Sequence, residues 1–266
     1  AARIDTALAR PAREKLADPT DFNPDACIPM LVKDNIDVKG FPTTAGSKAM
    51  MDNFPPDDAQ IITNLKKHGA IVLAKTNMAE WAFSPRRTKS TSAGITKNAY
   101  NLNHVPAGSS GGTASGIAAS FALVGLGTDT GNSVRGPSSH LSLVGMRSTH
   151  GKLSLDGIVP LVLSADVVGP MTRSVADNQT MYQFMQNSWV QYPPKLSIDA
   201  LKGKRIGIVS ALTVDMDEDI ADMFEVAIND LRAAGAIIIK DPKVNNIEAH
   251  IDASWGCKSF RKDVHE

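Results

Sequence analysis

The stretch Asp57-Asp58-Ala59-Gln60-Ile61-Ile62-Thr63-Asn64-Leu65-Lys66-Lys67-His68-Gly69-Ala70-Ile71-Val72-Leu73-Ala74 decides the fold class. Acidic residues open it, Ile61, Ile62 and Leu65 share one helical face, and Gly69 falls where a C-cap belongs, so the spacing predicts an amphipathic helix. The apolar run Ala70–Ala74 directly behind it predicts a buried strand. The same unit returns downstream. Ile206–Val209 reads as a strand, Met216–Ala234 places Ile220, Phe224, Ala227, Ile228 and Leu231 at helical spacing, and Gly235 precedes a further strand at Ala236–Lys240. Short apolar strands alternating with amphipathic helices argue for an α/β fold, a mixed, largely parallel sheet layered between helices. Trp189–Ala200, with Tyr192-Pro193-Pro194, reads as a connector, and no internal repeat is present.

Between these units lies a different kind of sequence. A cluster Gly108-Ser109-Ser110-Gly111-Gly112 leads into small residues and then into Gly127-Thr128-Asp129-Thr130-Gly131-Asn132-Ser133-Val134-Arg135. Glycine and serine are poor helix formers, so a helix over Ser110–Val124 would need close packing, and a deeply buried one is expected. Its N-terminus would aim unpaired N–H groups and a positive dipole end at Ser109. Two hydroxyl-bearing turns around one such segment can gather serines and free backbone N–H groups, as nucleophilic acyl transfer requires. Upstream, Ile28-Pro29-Met30-Leu31-Val32 delivers Lys33 to a strand end before the turn-formers Asp34-Asn35 and Gly40.

A serine nucleophile needs a base, and no histidine here has a recognisable Ser-His-Asp context. His68 reads as a helix-end residue, which leaves His140 and His150 as competitors of Lys33. An unperturbed lysine is neutral in only about one molecule in 2,500 at pH 7, a deprotonation cost of roughly 4.6 kcal/mol. Burial lowers that cost by disfavouring the ammonium, so a lysine emerging from an apolar strand into a dry site can act as a general base. Otherwise Lys33 is a surface lysine at a strand end.

Lys33 after its apolar run, the Gly-Ser-Ser-Gly-Gly cluster and the Gly-Thr-Asp-Thr-Gly-Asn-Ser-Val-Arg loop together resemble the signature of the amidase signature family of serine hydrolases. The resemblance extends through Pro42–Ser47, Ala74–Trp81 and Val168–Asp177, and covers roughly positions 28 to 240. It implies the amidase signature fold and hydrolysis of a carboxylic amide through an acyl-enzyme, with Ser133 as nucleophile, Ser109 as a bridging serine on a non-proline cis peptide and Lys33 as terminal base. The N–H groups of Thr130, Gly131, Asn132 and Ser133 would form the oxyanion hole, with Ser110 and Asn132 near the substrate. Asn132 stands where the family has glycine, which suits asparagine's tolerance of left-handed backbone, and Cys27 replaces the usual glycine before Ile-Pro. The family's chains continue well beyond this length, so residues 1–190 are expected to form the catalytic core and 191–266 the beginning of a C-terminal part that is truncated, processed or joined across gaps. Within the family, the glutamine-hydrolysing subunit of tRNA-dependent amidotransferases is the rival reading, against which Ser164-Ala165-Asp166-Val167 lacks a Ser-Leu-Asp-Gln form. A catalytically inactive binding protein is the alternative from another class.

Other readings of the same residues are weaker. Ser110 matches Gly-x-Ser-x-Gly, but that nucleophile elbow needs a preceding strand, and Asn98–Ala107 is polar. Neither Gly-x-x-x-x-Gly-Lys-Ser/Thr nor a strand-linked Gly-x-Gly-x-x-Gly is present to cradle phosphate. Asp129 and Arg135 read as braces of the loop, and Met50, Met51, Trp81 and Phe83 as either an acyl pocket or ordinary core.

Composition bounds the partners. With 266 residues, 42% apolar and 21% charged, the chain reads as an ordinary globular protein, and 28 basic against 28 acidic residues leave no field for nucleic acid. Cys27 and Cys257 have neither disulfide-scaffold nor zinc-ligand spacing, so no metal and no cofactor are expected. The weakly polar run 116–127 is too short to span a bilayer. The expected setting is cytoplasmic and the expected partner a small-molecule amide, with a homodimer left open.

Overall fold

A computed structural model of the chain describes residues 27–186, 197, 199–214, 216–243, 245–247, 249 and 259–265. They fall in two compact units, one within Ala1–Gln191 and Cys257–Glu266, the other within Tyr192–Gly256. Most of the expected connector lies outside the described residues.

The first unit is built on a five-stranded sheet in the order β2-β1-β5-β7-β6, formed by β1 (Ile28–Lys33), β2 (Ala70–Thr76), β5 (Val124–Asp129), β6 (Val144–Gly145) and β7 (Val167–Thr172); β3 (Lys89–Ser90) and β4 (Gly94–Ile95) make a separate small hairpin. β1 runs parallel to both β2 and β5, whereas β7 is antiparallel to β5 and to β6. The sheet is thus mixed and largely parallel, as the alternation predicts. Every residue of β5 and β7 is buried, the pattern of central strands covered on both faces. Met30, Val32, Leu126 and Val168 pack from the sheet against Ile61, Ile62 and Leu65 of α1 (Gln60–Lys67) and Met181 and Met185 of α4 (Val175–Met185), which follows the short helix α3 (Arg135–His140). α1 ends as predicted, with Gly69 at φ +81° just past the His68 cap.

Three expectations need correction. The helix predicted over Ser110–Val124 is α2, Gly111–Ala118, and the residues behind it turn into β5. It stops in a Schellman motif: Phe121 N–H donates to the Gly116 carbonyl (2.9 Å), Ser120 N–H to that of Ile117 (3.0 Å), and Ser120 sits at φ +61°. Serine rather than glycine at the left-handed position hid the stop. The strand predicted as buried is instead the edge of the described sheet, with Ile71 and Leu73 nearly half exposed. In the second unit, α5 (Glu218–Ala233) stands beside the parallel pair β8 (Arg205–Ile208) and β9 (Ile237–Lys240), but of its predicted apolar face Ile228 is buried while Ile220 is 57% exposed.

Close packing of α2 on the sheet is what makes the small residues necessary. A Cβ at Gly116 would overlap Leu31 of β1, and one at Gly125 would overlap the Thr113 methyl. The helix is thereby set directly on the strands that carry Lys33 and Thr128. Of the described residues near the chain's end, α6 (Phe260–His265) packs Phe260 edge-on against Trp81 and Phe83, at ring separations of 5.8 and 4.9 Å.

Candidate active site

Parallel strands β1 and β5 end side by side, and the carboxyl ends of such strands are where α/β folds place their sites. β1 delivers Lys33 as its last residue, fully buried. β5 delivers Thr128, and the turn into α2 delivers Ser109, whose peptide bond with Gly108 is cis. Lys33 Nζ lies 2.7 Å from Ser109 Oγ, 2.7 Å from Thr128 Oγ1 and 3.3 Å from the Thr128 carbonyl oxygen. The amide of Asn35 donates to Thr128 Oγ1 and to the Val159 carbonyl, both at 3.1 Å.

Burial lowers the Lys33 pKa from 10.5 to about 7, against the opposing pull of the Asp129 and Asp166 carboxylates. About half of the amine is then unprotonated at pH 7. Because an unfolded chain would keep this lysine protonated up to about pH 10.5, the buried amine destabilises the fold below pH 7, and that penalty fades as pH rises from 7 to 10.5. Lys33→Met is accordingly expected to be more resistant to urea than the parent at pH 6, with the advantage shrinking toward pH 10. A constant or widening gap in urea titrations across that range would contradict the depressed pKa.

Beyond β5 the chain wraps around one carboxylate. Asp129, fully buried, accepts hydrogen bonds from the Val134 N–H (3.1 Å), the Arg135 N–H (3.3 Å), Arg135 Nε (3.1 Å) and Nη2 (3.2 Å), and Arg147 Nη1 (3.1 Å). Burial alone would raise its pKa, but the hydrogen bonds from Arg135 and Val134 and the Arg135 charge outweigh it and hold the carboxyl below the usual range. A second buried carboxylate, Asp166, accepts from Thr130 Oγ1 (2.5 Å) and from the Leu161 and Val162 N–H groups (2.7 and 2.9 Å). The N–H groups of Thr130, Gly131, Asn132 and Ser133 span the gap between these anchors and donate to no acceptor among the described residues.

The structure brings Lys33 and Ser109 into direct contact. Ser133, 5% exposed, joins them through its backbone, its carbonyl accepting the Ser110 N–H at 3.3 Å; among the described residues no hydrogen bond links its hydroxyl to that of Ser109. Ser110 is fully buried with its hydroxyl donated to the Thr128 carbonyl (3.2 Å), which is a bracing contact. Asn132 does not use left-handed backbone; its side chain lies so close to Gly136 that a Cβ there would overlap it. His140 and His150 each place a ring nitrogen against a backbone carbonyl, of Val105 (3.4 Å) and Leu163 (2.9 Å), and His68 stacks on Phe184. A cleft of about 400 Å³ is lined by residues including Asp34, Phe41, Leu73, Lys75 and Asn77, and Met50, Met51, Trp81 and Phe83 do not line it. Among the described residues there is no group of metal-ligating side chains and no helix long and apolar enough to cross a membrane.

Sequence reading missed Thr128, Asn35, Asp166 and Arg147 as parts of the site. Asn35 reads as a turn-former and Thr128 as loop; Arg147 lies in a segment with no motif around it, and only the return of β7 beside β5 brings it to Asp129.

The family model for amidases matches residues 5–261. The chain belongs to the amidase family. Its amidase-family relatives include a glutamyl-tRNA(Gln) amidotransferase subunit of Carboxydothermus hydrogenoformans, 34% identical over 86% of this chain and 50% of the relative. Among solved structures, an amidase family protein from Bacillus anthracis matches with a TM-score of 0.74 and 36% identity over 83% of this chain and 47% of that one. The native peptide amidase of Stenotrophomonas maltophilia matches with a TM-score of 0.74 and 32% identity over 89% of this chain and 52% of that one. The fold is therefore that of the amidase signature proteins, and the chain spans about half the length of the relatives it matches.

Proposed function

We propose that this chain carries the catalytic apparatus of an amide hydrolase, with Ser133 as nucleophile, Ser109 as proton bridge and Lys33 as base. The observation that carries the proposal is a fully buried lysine whose amine lies 2.7 Å from Ser109 and whose pKa is lowered to about 7. Ser133 Oγ attacks the amide carbon while its proton passes to Ser109, and the Ser109 proton passes to Lys33. The negative charge that develops on the substrate oxygen is met by the N–H groups of Thr130, Gly131, Asn132 and Ser133. The relay then runs backwards, protonating the leaving nitrogen as the C–N bond breaks, and water attacks the resulting acyl-enzyme by the same route. Residues 1–190 are read as the catalytic core and 191–266 as part of the C-terminal portion of the same fold.

A second reading is favoured by the relatives that carry the name of a glutamyl-tRNA(Gln) amidotransferase subunit: hydrolysis of glutamine as one part of a complex. Against it stands Ser164-Ala165-Asp166-Val167 in place of Ser-Leu-Asp-Gln. A free-standing amidase acting on a small-molecule amide is the preferred conclusion. Treatment with a fluorophosphonate serine probe, followed by peptide mapping, should give one adduct on Ser133, and a panel of aliphatic, aryl and peptide amides should be hydrolysed without a partner. Ammonia released from glutamine only alongside partner subunits would select the second reading. A folded chain with neither adduct nor turnover would select an amidase-like binding protein.

A further inference from the structure

An amine acts as a base only through its lone pair, and three groups compete for the space around Lys33 Nζ: Ser109 Oγ, Thr128 Oγ1 and the Thr128 carbonyl. The carbonyl only accepts, so it takes one N–H. Each hydroxyl can donate or accept, and the base works only if the lone pair faces Ser109 rather than Thr128. Asn35 decides between them. Its Nδ2 lies 3.1 Å from the Val159 carbonyl, an obligate acceptor, which fixes the amide orientation and turns the same NH2 toward Thr128 Oγ1 (3.1 Å). Asn35 Oδ1 is then 3.5 Å from Thr128 Oγ1 and draws the threonine hydrogen toward itself. The Thr128 oxygen is left to accept from Asn35 and from Lys33. Thr128 can then take both N–H groups of a neutral amine, at its hydroxyl and its carbonyl, which leaves the lone pair for Ser109.

We propose that Asn35 and Thr128 are a positioning pair that aims the Lys33 lone pair at the Ser109 hydroxyl. The proposal rests on the hydrolase reading above, since it assigns the pair a role in that proton relay. Neither residue needs to touch substrate; Thr128 acts through Lys33, and Asn35 through Thr128. The carboxylates that act on the Lys33 charge are Asp129 and Asp166, and neither is altered in the variants below. Thr128 Oγ1 stabilises the ammonium more than the amine, so its loss lowers the Lys33 pKa further while misdirecting the lone pair. More neutral amine with less activity is a combination that a merely structural role for Thr128 would not produce.

The test titrates Lys33 by NMR of its 13C-labelled ε-methylene in the full chain, and measures kcat and KM against pH on an amide that the parent hydrolyses, for Thr128→Val, Thr128→Ser and Asn35→Ala. In Thr128→Val the Lys33 midpoint should fall by about 0.5–1 unit. Its plateau kcat should drop about 10–100-fold with KM nearly unchanged, and the acid limb of kcat should follow the midpoint. Thr128→Ser should restore both. Asn35→Ala should show a smaller loss, and the Thr128→Val, Asn35→Ala double variant should be no worse than Thr128→Val alone. An unchanged midpoint, an unchanged kcat, or additive losses would overturn the pairing while leaving the hydrolase reading intact if the parent is active. A parent that hydrolyses no amide, with the midpoint shift still present in Thr128→Val, would instead sink the hydrolase reading and retain the hydrogen-bond arrangement.

Discussion

Ser133→Ala is expected to abolish both amide turnover and fluorophosphonate labelling, and Lys33→Ala to lower kcat by about 10²–10⁴, the range for a lost general base. The asymmetry follows from the roles. On the proposed roles, no acyl-enzyme forms without Ser133, whereas without Lys33 the proposed nucleophile and backbone donors remain and only the proton acceptor is lost. Because both residues serve one proton path, the double variant should be no slower than Ser133→Ala. The parent's pH profile should carry the same signature. With Lys33 as the proposed base the neutral amine is the working form, so kcat/KM should rise with pH through a limb near 7, where burial has placed the Lys33 pKa, and the limb should vanish in Lys33→Ala. Steady-state rates between pH 5 and 9 decide the matter. An unchanged limb in Lys33→Ala would move the base to another group, and full labelling of Ser133→Ala would move the nucleophile.

How far this site could be read from the sequence depends on what kind of interaction holds each part. Lys33 stands out as a candidate because an apolar strand carries it to its end, whereas the roles proposed for Ser109 and Ser133 come from the resemblance of their glycine-flanked turns to a family signature. Asp129 was legible only as a brace, since nothing in the local sequence says that Arg147 will reach it from across β7. Thr128 lies inside the signature loop and Asn35 just past Lys33, but nothing local assigns either a part; that comes from a hydrogen bond between residues 93 apart in the chain. The fold divides in the same way. Helical periodicity placed α1 and its Gly69 stop, while the left-handed Ser120 that ends α2 carries no glycine signal, and the edge position of β2 is a property of the sheet order that no single strand contains.

Asp129→Ala is expected to be the most damaging substitution away from the reacting groups. The carboxylate is fully buried, and truncating it leaves the Val134 N–H and two guanidiniums without their shared acceptor. Removing one partner of a buried pair typically costs about 3–5 kcal/mol. Arg135 is 48% and Arg147 27% exposed at the side chain, so both can partly rehydrate, which favours the low end of that range. Asp129→Asn keeps the shape and some acceptor capacity, and should lose less. Activity should suffer in both variants, because one side chain ties the start of the loop that carries the proposed oxyanion donors to Val134 at its end, and a lost donor costs about 10²–10³ in kcat. Loss of this charge also removes an influence that raises the Lys33 pKa, so the acid limb should move to lower pH. The linkage sign is that of a depressed carboxyl: the stability Asp129 contributes is complete above its unfolded pKa of about 3.9 and is lost as pH falls through the lower folded value. Urea titrations of the parent and Asp129→Asn at pH 7 and pH 3 should therefore converge toward acid. If Asp129→Ala unfolds within 0.5 kcal/mol of the parent, a margin of about the size of ordinary surface substitutions, and turns over amide at the parental rate, the clamp is neither a structural nor a catalytic support.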